Sequence, residues 1–254
     1  MKLEHRTVLI TGGTSGIGLE LATQLHRRGN TIIVTGRDQD RLDAVALALP
    51  GVHTVRSDVS DPGAIAALHD EMMARFPALD TLVNNAGIMR NLNLNDERDL
   101  RDVTREIEIN LSGPVQMVQQ FLPHLKTREQ ALILNVSSGL AFIPFLPSPV
   151  YSATKAAMHA FTQVLRLQLD GTGVTVVELA PPPVETPLLR REFAAEMAGQ
   201  RGMAVQTLVA RTIAGIEAGK LEIRPGLSNV LKTMSRVAPQ FMLKQLARQA
   251  TPRR

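Results

Sequence analysis

"RTVLITGGTSGIG", from Arg6 to Gly18, decides how the rest of the chain is read. A β-branched and aliphatic run, Thr7 to Thr11, stops at two glycines and passes into a segment with helical spacing of apolar residues. Strand, glycine turn and helix in that order form half of a βαβ unit. Glycines at 12, 16 and 18 permit a tight turn and let the backbone approach a pyrophosphate. The start of the following helix then stabilises the charge of that group. The candidate cradle is Gly12, Thr14, Ser15, Gly16, Ile17 and Gly18. Its G-x-x-x-G-x-G spacing departs from the G-x-G-x-x-G fingerprint of other dinucleotide folds, and a purely structural turn is the competing reading.

The same alternation continues along the chain. Strands are expected at 6–11, 31–36, 53–58, 79–86, 131–138, 174–180 and 220–223, and helices at 17–29, 38–49, 62–76, 97–126 and 151–169. This pattern predicts an α/β fold, a single-domain doubly wound parallel sheet of about seven strands with helices on both faces. No linker, repeat or low-complexity segment interrupts residues 1–254, so one domain is expected. The helix from Tyr151 to Leu169 carries apolar residues on more than one face, which predicts a partner subunit and a homodimer or homotetramer.

Composition narrows the function. The chain has 254 residues, no cysteine and a net charge of +4. Thiol catalysis, disulfides and thiolate metal sites are therefore excluded. The six histidines lack paired ligand spacing, and no metal site is expected. No acidic residue follows Glu222, whereas Arg224, Lys232, Arg236, Lys244, Arg248, Arg253 and Arg254 are basic. Setting those seven aside leaves 21 basic against 24 acidic residues, a body unlike a nucleic-acid-binding surface. Neither a signal-peptide core nor an apolar span can be drawn near the start, and a cytoplasmic location is expected.

After the second strand, Gly36 and Arg37 stand where a carboxylate would select an unphosphorylated ribose. Arg37 can pair with a 2′-phosphate and stack on adenine, so NADP(H) is preferred over NAD(H). Asp58, followed by Val59, ends the third strand. It is placed either to accept from an adenine amino group or to cap the next helix.

Tyr151 is the sole tyrosine, and no tryptophan is present. Lys155 lies four residues on, one helical turn away on the same face. A phenol of pKa near 10 transfers protons poorly at neutral pH unless a cation stabilises its phenolate, which Lys155 could do. Ser137 and Ser138, at the end of the fifth strand, offer hydroxyls suited to a carbonyl oxygen.

"TGGTSGIG", "NNAG" (84–87), Asn110 in "IEINLSGP", Ser138 and "YSATK" (151–155) occur in order between about Arg6 and Thr186. Together they resemble the short-chain dehydrogenase/reductase family. The resemblance implies a Rossmann-like domain, a nicotinamide cofactor, a small carbonyl or alcohol substrate and usually an oligomer. Carried onto this chain, it makes Tyr151 the general acid or base and Ser138 the partner of the substrate oxygen. Lys155 becomes the ribose-binding residue that lowers the tyrosine pKa, and Asn110 the support of a water that links Lys155 to solvent. Asn85, Ala86 and Gly87 would border adenine and ribose, while Pro181, Val184 and Thr186 would lie at the nicotinamide end. Three consecutive prolines, 181–183, replace the family's usual Pro-Gly. That form resembles a less characterised branch associated by name with teichoic-acid D-alanylation. A catalytically idle nucleotide-binding regulator, or a scaffold docking a membrane, is the rival reading; the complete set of four residues favours the enzyme.

Phe142, Ile143, Phe145 and Leu146 before the tyrosine, with Leu188, Leu189, Phe193, Met197 and Met203 after Thr186, predict an apolar pocket. Residues 187–219 form the expected lid. The segment 226–254 reads as a basic amphipathic stretch broken at Pro239. It is expected to cover a groove on its own protein in preference to an anionic membrane surface.

Overall fold

A computed structural model describes residues 1–194, 196, 199 and 201–250, leaving aside the side chains of 248–250. Seven strands form one parallel sheet in the order β3-β2-β1-β4-β5-β6-β7. They are β1 Thr7–Thr11, β2 Thr31–Gly36, β3 His53–Arg56, β4 Thr81–Asn84, β5 Ala131–Val136, β6 Val174–Leu179 and β7 Glu222–Ile223. The order reverses between β1 and β4, which leaves a crevice beyond their carboxyl ends. The expected strands 53–58, 79–86 and 131–138 all run past the observed ends. The surplus residues beyond Arg56, Asn84 and Val136 belong to the loops that build this crevice.

Both faces of the sheet are covered, so β1, β4 and β5 are buried at every position. Side chains alternate between the faces. Val8, Ile10, Ile32, Val34, Leu132 and Leu134 pack under α1 (Gly16–His26), α2 (Gln39–Ala48) and α8 (Val205–Glu217). Leu9, Ile33, Leu82, Ile133 and Val176 pack under α3 (Pro62–Arg75), α5 (Gly113–Leu125) and α6 (Pro149–Gln168). Each such side chain, fully removed from water, contributes about 1.5–3 kcal/mol.

The helix expected over 97–126 is interrupted. α4 (Leu100–Ile107) passes into a π turn, Glu108–Ser112, before α5 begins. The Gly113 amide donates to the Glu108 carbonyl, five residues back. Pro114 has no N–H to offer the Asn110 carbonyl, which removes the bond a regular helix would make there. The remaining helices are α7 (Pro187–Glu192), α9 (Leu227–Val237) and α10 (Pro239–Ala250). The break at Pro239 falls where proline dictates. Among the described residues, no helix is long and apolar enough to cross a membrane.

Candidate active site

The glycine turn is shaped from behind by Asn85. Its Nδ2 donates to the carbonyls of Thr11 (2.9 Å) and Gly12 (3.0 Å). The Thr11 hydroxyl donates to the Val83 carbonyl and accepts from the amides of Asn85 and Ala86. Gly12 has φ +65°, and a Cβ there would lie 2.8 Å from the Ala86 Cα. The turn closes only with glycine. Ser15, the N-cap of α1, makes no side-chain cap hydrogen bond, so the first amides of the helix face the crevice without an internal acceptor. This cradle and helix start fit a pyrophosphate. Thr14, which touches Gly36, and Ile17 flank it, and Thr186 faces Gly16 across it.

At the end of β2, Arg37 Nη1 lies 3.6 Å from Asp58 Oδ2, with both side chains partly exposed. Asp58 Oδ1 accepts from the Ser60 amide (2.9 Å) and hydroxyl (2.7 Å). Burial alone would raise this carboxyl; the Ser60 hydrogen bonds and the Arg37 charge outweigh it and hold the pKa below the ordinary value. The N-cap of α3 is Asp61, not Asp58, so Asp58 shapes the turn and keeps its second oxygen toward Arg37. Val59 is buried, and its carbonyl lies where Gly113 leaves no room for a side chain.

Beyond β5 the two serines separate. Ser137 donates to the buried Glu178 carboxylate at 2.5 Å and is thereby engaged in the core. The Ser138 hydroxyl accepts from the Leu140 amide (3.1 Å) and lies beside the Tyr151 phenol. Tyr151 and Lys155 both lie on α6, and Lys155 Nζ sits 5.5 Å from the centre of the phenol ring. The ammonium donates to the Val136 carbonyl at 2.9 Å. Asn110 Oδ1 accepts from the Ile88 amide (2.9 Å), and its Nδ2 donates to the Ile88 carbonyl (2.8 Å) and to Thr154. A Cβ on Gly87 would fall between Asn110 Oδ1 and Lys155 Nζ, so that glycine keeps the space between them open.

The electrostatics differ from the expectation that Lys155 lowers the tyrosine pKa. Burial pushes the Tyr151 phenol up to about 12, opposed by the Ser138 hydroxyl and reinforced by the charge of Glu106. Burial likewise brings Lys155 down to about 8. Desolvation of both groups outweighs their attraction because the ammonium is turned to Val136 rather than to the phenolic oxygen. In this state Tyr151 holds its proton.

Tyr151 is covered by Met89 and Phe193, with Leu140 and Phe145 packed against them. The rings of Phe145 and Phe193 are 5.9 Å apart. Of the expected lid, this covering comes from Phe193 at the end of α7. By contrast, Leu208, Val209, Ile213 and Ile216 of α8 belong to the core. Phe142 packs on His159, Leu146 is exposed and Met203 joins the core through a bridge to Val184. Met197 lies outside the described residues. The triple proline is accommodated through its carbonyls: Pro181 accepts from the Gly139 amide (2.9 Å) and Pro183 from the Met203 amide (2.8 Å).

One group was not foreseen. Glu106, four residues before Asn110 on the same helix face, is fully buried. Its Oε1 accepts from the Arg90 amide (2.9 Å), and its Oε2 has no hydrogen-bond partner. Burial raises its pKa, Arg90 opposes the rise, and Asp102 and Glu192 add to it. A charged residue at helical spacing from Asn110 was the only signal in the sequence.

Residues 6–197 match the family model for short chain dehydrogenase. The chain belongs to the short-chain dehydrogenase/reductase family. As an oxidoreductase of that family it is 42% identical over 224 residues to the uncharacterized oxidoreductase DltE of Bacillus subtilis, covering 88% of this chain and 89% of that one. The short-chain dehydrogenase of Burkholderia cenocepacia in complex with NADP superposes with a TM-score of 0.84 at 26% identity, over 97% of this chain and 99% of the other. The 3-ketoacyl-(acyl-carrier-protein) reductase of Brucella melitensis complexed with NADH superposes with a TM-score of 0.80 at 27% identity, over 89% and 100%. Solved relatives of this fold are thus found with either nicotinamide cofactor, NADP in one and NADH in the other.

Proposed function

We propose that this short-chain oxidoreductase transfers hydride between NADP(H) and a carbonyl or secondary alcohol of medium size and apolar character. The observation that carries the reading is the contact between the Tyr151 phenol and Ser138 at the mouth of the crevice, with Lys155 one turn along α6. When bound, the nicotinamide supplies or accepts the hydride. In reduction, Tyr151 gives its proton to the substrate oxygen while the Ser138 hydroxyl donates a second hydrogen bond to it. In oxidation, Tyr151 Oη takes the alcohol proton back. Lys155 must leave the Val136 carbonyl to approach the phenolate and a ribose, and the gap kept by Gly87 lies on that route. Asn110 holds the Ile88 backbone, and its own carbonyl, relieved of a helical donor by Pro114, is suited to hold a water.

Arg37 supports NADP(H) over NAD(H): its guanidinium is half-exposed and, among the described residues, faces the single carboxylate of Asp58, whereas a 2′-phosphate gives a guanidinium two acceptors at once. The aromatic covering of Tyr151 supports the apolar substrate. Leu100, Ile107, Val164 and Leu167, exposed on α4 and α6, support a homodimer or homotetramer built on those helices.

Tyr151→Phe tests the assignment. With a panel of ketones and aldehydes followed by NADPH absorbance, the variant should lose turnover by at least about 100-fold and keep its cofactor affinity. Parental turnover on any substrate the parent reduces would overturn it.

A further inference from the structure

Apart from the α4 and α6 surface, a second exposed apolar series runs along the C-terminal helices. Leu227, Val230, Val237 and Phe241 are 48%, 51%, 75% and 59% exposed, with Met234 half-buried between them. The spacing of three, four and three residues from Leu227 to Val237 keeps these on one side of α9, and Phe241 adds an exposed apolar side chain on α10 just beyond the break.

The flank of α9 next to this series is fixed to the body. Ser228 and Leu231 are buried and close on Gly139, where an added Cβ would lie 2.7 Å from the Ser228 hydroxyl and 3.2 Å from Leu231. Lys232 pairs with Glu222 and lies over the Phe142 ring. α9 is therefore anchored to the body while its apolar series stays exposed.

Charge identifies the partner. Beyond Glu222 the sequence holds seven basic and no acidic residues. Arg224 and Lys232 are engaged by Glu222. Arg236 and Lys244 are exposed, and Arg248, Arg253 and Arg254 continue the same charge in the sequence. A second copy would bring two like-charged surfaces together, which is repulsive. A polyanion would leave the apolar series in water. An anionic bilayer takes both, with the apolar side chains at the acyl boundary and the cations among the headgroups. We propose that α9 and α10 form a peripheral docking surface for anionic lipid membranes. This surface is independent of the cofactor assignment.

The test uses the full chain and sedimentation with vesicles of phosphatidylcholine alone or with about one quarter phosphatidylglycerol. The protein should pellet with the anionic vesicles, stay in solution with the neutral ones, and be released by about 0.5 M salt. The double variant Val237→Asp/Phe241→Asp should bind at least about tenfold more weakly, with unchanged elution size and NADPH binding. Arg236→Glu/Lys244→Glu should also weaken binding. Failure to pellet, equal pelleting with neutral vesicles, or parental binding by the Asp variant would overturn the proposal. So would a change in the oligomer size of the Asp variant, which would assign the series to a subunit contact.

Discussion

Lys155→Met removes the ammonium from α6 and keeps a side chain of similar length in the same space. In the folded protein burial lowers Lys155 to about 8 from its ordinary 10.5. A depressed lysine binds fewer protons folded than unfolded, so it destabilises the protein fully below the folded value. The penalty fades as pH rises from about 8 and is gone above 10.5. Two and a half units correspond to about 3 kcal/mol at pH 7, of which about 1 kcal/mol remains at pH 9.5. Relative to the variant, the parent should therefore gain about 2 kcal/mol between these two conditions. The comparison cancels costs common to both pH values, including whatever the Val136 carbonyl loses when Nζ is removed. With one tyrosine and no tryptophan, guanidinium unfolding is best followed by far-UV circular dichroism. A stability difference that stays constant within about 0.5 kcal/mol would show that the ammonium is not desolvated and would refute the reasoning.

Arg37→Ala should weaken NADPH binding by about 10- to 100-fold and leave NADH nearly unchanged, as read by fluorescence titration of each cofactor. An equal effect on both would remove Arg37 from the phosphate. Glu106→Gln takes away a buried negative charge that opposes phenolate formation, so the Tyr151 titration should move to lower pH. Because Tyr151 is the sole tyrosine, phenolate absorbance reports it directly. An unmoved midpoint in a folded variant would place Glu106 outside the electrostatics of the site.

Several loops of the site were already marked in the sequence, for a physical reason. Gly12, Gly16 and Gly18 are demanded by backbone geometry at one turn, and Tyr151 and Lys155 are brought together by the pitch of one helix. Such features depend on neighbours in the chain. The strand ends were read too long at 53–58, 79–86 and 131–138 because the apolar pattern does not mark where pairing stops. Asn85 could be named as a site residue, but that its amide holds the glycine turn could not be foreseen. Those bonds cross more than 70 positions.

Sequence alone determined the doubly wound sheet, since short β-branched and aliphatic runs alternate along the chain with longer segments of helical period. It also determined which residue types meet at the crevice. Tertiary structure decided what those residues are in energetic terms. Tyr151 holds its proton and Lys155 is depressed because Met89, Phe145, Phe193 and the wall of β5 remove water from both. Glu106 lies close enough to add its charge. Desolvation depends on everything packed around a group, and no spacing along the chain records it.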